Sequence, residues 1–309
     1  MRSLTSNILL FLKGLAMGAA DVVPGVSGGT IAFITGIYFE LVSTIKSFDI
    51  TALRLLKSEG LGAAWRHVNG NFIAVLLAGI LTSVFSLAQM MHYLLLEHGV
   101  PLWSFFSGLI VGSVILLLRQ HPPAAMSGKL LFLLGILVAY GISISPSVVL
   151  EGTVITMFFA GAIALCAMIL PGISGSFILV LLGLYPVFIS AIAKLQIDIL
   201  LAFAMGGLIG LMLFSRFLSW LLSRFQTALI AVMCGFLVGS LSIIWPWKNT
   251  LSEGIIGAGE APVTVTENVF PSQFLEVTGQ DPQTLLCLFV FFIGFVMVLS
   301  VEFLNKSKL

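Results

Sequence analysis

The chain has 309 residues, of which 59% are apolar and only 9% charged, with a mean hydropathy of +1.15. A water-soluble domain keeps about a quarter of its residues charged, so this composition excludes one. A formal net charge of +1 leaves no basic surface for nucleic acid and no acidic tail, and the apolar residues fall in runs near the ~20 that cross a bilayer.

The first predicted element, residues 7–46, is a helical hairpin broken at Pro24-Gly25-Val26-Ser27-Gly28. Proline removes a backbone donor and restricts the residue before it, which ends the first leg. The Ser-Gly that follows suits the start of a second helix. The N-terminus resembles a secretory signal, with Arg2, an apolar stretch and Ala19-Ala20. Lys13 interrupts that apolar stretch and the segment recurs later, so no cleavage is expected. A polar stretch, Lys46 to Asn71, leads to spans at 72–96, 102–119 and 129–145. A second hairpin at 153–193 breaks at Pro171-Gly172-Ile173-Ser174-Gly175, followed by spans at 198–222, 226–246 and 284–304. Between the last two lies a loop, 247–283, that includes Glu267, Glu276 and Asp281. Cys166, Cys234 and Cys287 lie in apolar runs without CxxC spacing, and the four histidines lack ligand spacing, so no metal or cofactor is expected.

The chain matches itself. At the 147-residue offset that relates Pro24 to Pro171, Gly14 meets Gly161, Gly36 meets Gly183 and Tyr38 meets Tyr185. At an offset of 127, Gly108-Leu109-Ile110-Val111-Gly112-Ser113 meets Gly235-Phe236-Leu237-Val238-Gly239-Ser240. The expected fold is therefore an all-α polytopic membrane protein of two inverted repeats, residues 1–146 and 147–309. Each is a broken, re-entrant-type hairpin plus three transmembrane helices within one membrane domain. The length of the hairpin legs leaves full crossing open. Three single spans per half turn the second half over. With the N-terminus cytoplasmic, every Lys and Arg except Lys194 and Lys248 lies at or towards the cytoplasm, the 247–283 loop lies outside, and the C-terminus returns inside.

Inverted repeats with broken helices mark transporters whose half-helix N-termini hold a substrate near the midplane. Free amides of Ser27, Gly28, Gly29 and Thr30, and of Ser174, Gly175 and Ser176, would favour an anion, phosphate above all. The competing reading is that small residues only let helices pack, which suits Gly14/Gly18, Gly108/Gly112, Gly206/Gly210 and Gly235/Gly239. Asp21, three residues before Pro24, is an ionisable group at membrane depth and is expected to couple transport to H+ or Na+. Its counterpart is Met168, so the halves differ chemically. Glu40 is the next coupling candidate; Arg216 and Lys13 are expected to attract the head group at the cytoplasmic exit, with anchoring as the alternative for both.

The segment from Gly14 to Thr30, GLAMGAADVVPGVSGGT, together with Leu170-Pro171-Gly172-Ile173-Ser174-Gly175-Ser176-Phe177, resembles the bacterial polyprenyl-phosphate transporter family. The resemblance covers essentially the whole chain. It implies translocation of undecaprenyl phosphate, the lipid carrier of cell-wall precursors, to the cytoplasmic leaflet of the inner membrane for reuse. Undecaprenyl-diphosphate phosphatases of the BacA type are the enzymatic alternative. They carry Pro-Gly-x-Ser-Arg-Ser and two glutamates, where this chain has Gly175 for the arginine and Met17 four residues before Asp21. Phosphoryl transfer needs that cation and a positioned base, so phosphate binding without cleavage is expected. A small-anion transporter is the remaining reading.

Overall fold

A computed structural model describes residues 4–22, 27–123, 125–145, 150–254 and 263–306. Pro24, Gly25 and Val26 of the first motif, Arg2 and Lys308 lie outside the described residues. The first hairpin comprises α1 (Leu4–Val22), α2 (Gly28–Ile34) and α3 (Tyr38–Lys46). Two short helices, α4 (Ile50–Ser58) and α5 (Leu61–His67), lead to α6 (Gly70–Glu97), α7 (Gly99–Gln120) and α8 (Met126–Ile144). The second hairpin is α9 (Val154–Ile169), α10 (Gly175–Leu181) and α11 (Tyr185–Ala193), followed by α12 (Ile197–Arg224) and α13 (Gln226–Ser240). Strands β1 (Lys248–Gly254) and β2 (Val263–Asn268), α14 (Pro271–Thr278) and α15 (Thr284–Lys306) complete the chain. Among the described residues, α6, α7, α8 and α12 are long and apolar enough to cross a membrane, and α10 with α11 makes a fifth such unit, bent by 115°. The protein is an all-α polytopic membrane protein.

The second leg of each hairpin is not one helix but two, and the repeated glycine is the reason. Gly36 has φ +74° and Gly183 φ +66°, the left-handed region where a side chain is strained. Around Gly36, the Ile37 amide donates to the Ala32 carbonyl and the Gly36 amide to Phe33. Around Gly183, the Leu184 amide donates to Leu179 and the Gly183 amide to Val180. Both are glycine-terminated helix ends that close the short helix and redirect the chain.

The long helices pack in four pairs through small residues. An added Cβ at Gly14 would meet Leu76, and one at Gly18 would meet Ile80, so α1 runs parallel to α6. The close approaches Gly206–Phe158 and Gly210–Ala162 set α12 parallel to α9. Gly108–Phe291 with Gly112–Phe295 pairs α7 with α15, and Gly235–Phe132 with Gly239–Ile136 pairs α13 with α8. Lipid supplies no hydrophobic drive between helices, so backbone approach at glycine is what holds such pairs. The crossings correspond: Gly79 against Phe11 becomes Gly206 against Phe158 at the offsets of 127 and 147 seen in the sequence. The first hairpin also reaches across the molecule, α2 packing on α9 and α3 on α12.

Three segments differ from expectation. α13 stops at Ser240 rather than near residue 246, and turns carry the chain over 241–244. The polar stretch after Lys46 folds into α4 and α5, with Asp49 capping α4 by accepting from the Ala52 amide (2.9 Å). That amide and the neighbouring His67 hold the Asp49 carboxyl below the usual carboxylate range. The 247–283 loop contains a folded cap. β1 and β2 pair antiparallel, the alternating Val263-Thr264-Val265-Thr266 suiting a strand, and Pro271 opens α14. The Trp245 and Trp247 indoles donate to the Val269 and Pro282 carbonyls (2.8 and 2.9 Å), fixing the cap to the helices. Lys248 lies 5.3 Å from the centre of the Trp103 ring, and burial pushes its amine down to about 8.

Candidate functional site

The two hairpin tips meet. Ser27 is buried, and its hydroxyl donates to the Met168 carbonyl at the end of α9 (2.8 Å). Thr30, buried in the first turn of α2, accepts from the Gly172 amide (2.9 Å). An added Cβ at Gly29 would fall on the Met168 carbonyl oxygen and lie 2.8 Å from that of Ile169. The residues expected from the two motifs thus converge at one place, bridged by hydrogen bonds between the halves.

The first half-helix does not offer free amides there, which corrects the expectation for Gly28, Gly29 and Thr30. The Gly28 amide donates to Asp21 Oδ1 at 2.6 Å. The Gly29 amide donates to Ser27 Oγ (3.1 Å), and the Thr30 amide to the Ser27 carbonyl (2.9 Å). The physical reason is local: an N-terminal turn captures the nearest acceptors, here a capping serine and a carboxylate seven residues back. Asp21 therefore occupies the N-terminal end of α2, where the helix dipole favours negative charge.

Lys13 is also placed differently. Its ammonium donates to the Thr35 carbonyl (2.7 Å) at the far end of α2. α1 thus supplies a carboxylate to the N-terminus of α2 and a cation to its C-terminus, each complementing the helix dipole. The eight-residue step from Lys13 to Asp21 spans about 12 Å of α1, close to the roughly 10 Å length of α2. At the 147-residue offset the counterparts are Ala160 and Met168, so α10 has neither clamp.

At the second tip, Ser174 stands at the N-cap of α10 without accepting from a backbone amide of the helix, and its hydroxyl lies 2.8 Å from that of Ser176. An added Cβ at Gly175 would lie 2.8 Å from the Ala164 carbonyl, so this glycine serves the approach of α10 to α9. Arg216 donates to the carbonyls of Met212 (2.7 Å) and Phe48 (3.4 Å), tying α12 to the segment after α3. Glu40 accepts from Asn69 (2.9 Å) at the entry to α6. The structure brings Ser27, Gly29 and Thr30 to the second hairpin, with Asp21 bonded to Gly28 beside them, and leaves Arg216 and Glu40 elsewhere.

Two buried hydroxyls escaped sequence reasoning. Tyr38 Oη and Ser83 Oγ have no hydrogen-bond partner among the described residues. Tyr38 follows the bend at Gly36, its ring edge-on to Phe33 with centroids 5.3 Å apart. Ser83 faces Gly18 on α1. Both add hydrogen-bonding capacity beside the first hairpin; the repeat match at Tyr38 was the one available signal.

A profile of the family described as VCA0040-like, undecaprenyl phosphate translocase-like, matches residues 17–261. A protein of Vibrio cholerae serotype O1 named polyprenyl-phosphate transporter is 46% identical to this chain over 303 residues, covering 98% of each. A Staphylococcus aureus protein of the same name is 34% identical over 257 residues, 77% of this chain and 86% of that one. No solved structure matches the chain significantly. With the profile spanning both hairpin tips and most of the helices that pack around them, the chain belongs to the undecaprenyl phosphate translocase-like family.

Proposed function

We propose that this protein carries undecaprenyl phosphate from the outer to the cytoplasmic leaflet of the bacterial inner membrane, returning the carrier lipid for reuse. The observation that carries the reading is the meeting of the two hairpin tips through Ser27–Met168 and Thr30–Gly172 in a chain whose relatives are named polyprenyl-phosphate transporters. The phosphate binds at the Ser174–Ser176 hydroxyls on the unclamped side and competes with Asp21 for the Gly28 amide. Loading then requires Asp21 to be neutralised by H+ or Na+, and unloading restores its charge. α2 stays held to α1 through Lys13 while α10 moves with its repeat. Gly175 in place of an arginine, and Arg216 turned to the Met212 and Phe48 carbonyls, favour binding over hydrolysis. The decisive experiment is lipid flipping in vesicles containing only this protein, with phosphate release measured on the same sample; release without flipping would make it an enzyme.

Ser174→Ala is expected to weaken polyprenyl-phosphate binding roughly ten- to a hundredfold with unchanged thermal stability, because a donor to a charged group is worth about 1.5–3 kcal/mol. Ser27→Ala should lose similar affinity and also stability, since its hydroxyl ties the tips together. Wild-type binding by both variants would make the tips packing devices.

The inverted arrangement is supported by the two sets of corresponding helix crossings. Cysteines placed in the 247–283 loop should label with impermeant reagent in spheroplasts, and cysteines after Lys306 should not. The reverse pattern would end this topology.

Only the head group needs a path through protein, because the tail is as apolar as the bilayer. A short-chain polyprenyl phosphate should therefore compete for transport nearly as well as the long one, and an uncharged polyprenol should not. Strong competition by the alcohol would place recognition in the tail.

A further inference from the structure

A cavity of about 390 Å³ opens beside the second hairpin tip. Ile142 of α8 forms one wall; Ala162 and Cys166 of α9, Ile178 of α10 and Phe214 of α12 form the other, and Ile173 reaches it from the tip itself. No side chain lining it carries a charge, hydroxyl or amide. Ile163 at its mouth is about half exposed (52%), so the cavity opens sideways onto the apolar outer surface of the helices. α8 and α9 hardly touch, and the cavity is the gap between them. The counterpart of Ile178 in the first half, Ile31, is instead buried in the main core.

From this geometry we infer that the groove between α8 and the α9–α10–α12 group binds the head-proximal isoprene units of the prenyl phosphate, the rest of the chain remaining in lipid. The inference rests on the transport reading above. Its volume falls in the range of small-ligand sites. What selects the occupant is the chemistry next to the tip. Ile173 lines the groove, and the next residue is Ser174, whose hydroxyl faces Ser176. In a prenyl phosphate, hydrocarbon begins directly at the phosphate ester oxygen, so a phosphate at the serines places carbon immediately in the groove. A phospholipid phosphate at the same spot would put glycerol and two ester groups there, and those polar groups would lose their hydrogen bonds in an apolar slot. The groove thus admits a single-chain phosphate lipid and discriminates against the bulk lipid that surrounds the protein.

The test uses the whole protein in vesicles of phosphatidylethanolamine and phosphatidylglycerol, with a short-chain prenyl phosphate bearing a photoactivatable diazirine on its first two isoprene units. Label should concentrate several-fold on peptides containing Ile142, Ala162, Cys166 and Ile178 over those containing Phe85 and Phe292, which are exposed on other helices. Unlabelled polyprenyl phosphate should displace it, and excess phosphatidylglycerol should not. Ile142→Trp, which fills the groove from α8, should lose both this label and transport. Even label over all exposed helix faces, or displacement by phosphatidylglycerol, overturns the groove while transport of the same lipid in the same vesicles upholds the transport reading. Absence of protein-dependent transport there would overturn both.

Discussion

Replacing Gly29 by serine should abolish transport and destabilise the protein, although serine is the residue found at the corresponding position, Ser176, in the second half. A Cβ at Gly29 has no space, because it falls on the Met168 carbonyl oxygen with the Ile169 carbonyl alongside at 2.8 Å. Both obstacles are backbone, so neither can rotate away, and overpacking of this kind costs about 1–3 kcal/mol or more. Relief would require the tips to separate, which breaks the Ser27–Met168 and Thr30–Gly172 bonds together. Gly141→Ala on α8 is the control: nothing lies within 4 Å of an added Cβ there, and it should be neutral or stabilising by up to about 1 kcal/mol. Thermal unfolding and flipping measured on both variants decide the matter. A Gly29→Ser protein as stable and active as the control would show that the tips are not in this contact in the working protein.

Asp21→Asn should keep the fold, bind polyprenyl phosphate at least as well as the wild type, and lose the dependence of flipping on a pH or Na+ gradient. The asparagine carbonyl can still accept from the Gly28 amide, which now bonds Asp21 Oδ1 at 2.6 Å. It carries no charge to repel an arriving phosphate and none for a cation to neutralise. A charge-assisted hydrogen bond is worth about 1.5–3 kcal/mol, and an incoming phosphate need no longer displace one. The measurement is flipping rate against imposed gradient, with lipid affinity taken on the same preparation. Unchanged gradient dependence would make Asp21 a structural partner of α2 and pass the coupling role to another group.

The sequence made the helices and the paired motifs readable because membrane depth leaves few options: long apolar runs, a Pro-Gly break, and glycines where helices touch. Gly14 with Gly18 and Gly235 with Gly239 were expected to pack, and they do. The bend at Gly36 and Gly183 was visible as a match but not as a bend, since hydropathy is continuous across it and only the φ angle reveals it. Asp21 stood out as costly at that depth, yet its partner, the Gly28 amide, belongs to a different helix seven residues on, a pairing no periodicity predicts. The same holds for Lys13, where one spacing suits either a free cation or a cap on α2. Arg216 reaches a carbonyl 168 residues distant in sequence, a contact that packing alone decides.

The pairing of the long helices bears on how the chain is made. α1 with α6, and α9 with α12, join helices of the same half, but α7 with α15 and α8 with α13 join helices of different halves. A ribosome delivers these helices in order, so α7 and α8 enter the bilayer with Gly108, Gly112 and Gly135 facing lipid and wait there for partners. α13 closes on α8 first. α15, which follows α13 in the chain, then fills the groove along α7. A chain stopped before Thr284 would keep both hairpins and still lack the strut that closes α7, leaving a half-assembled protein for membrane quality control to recognise.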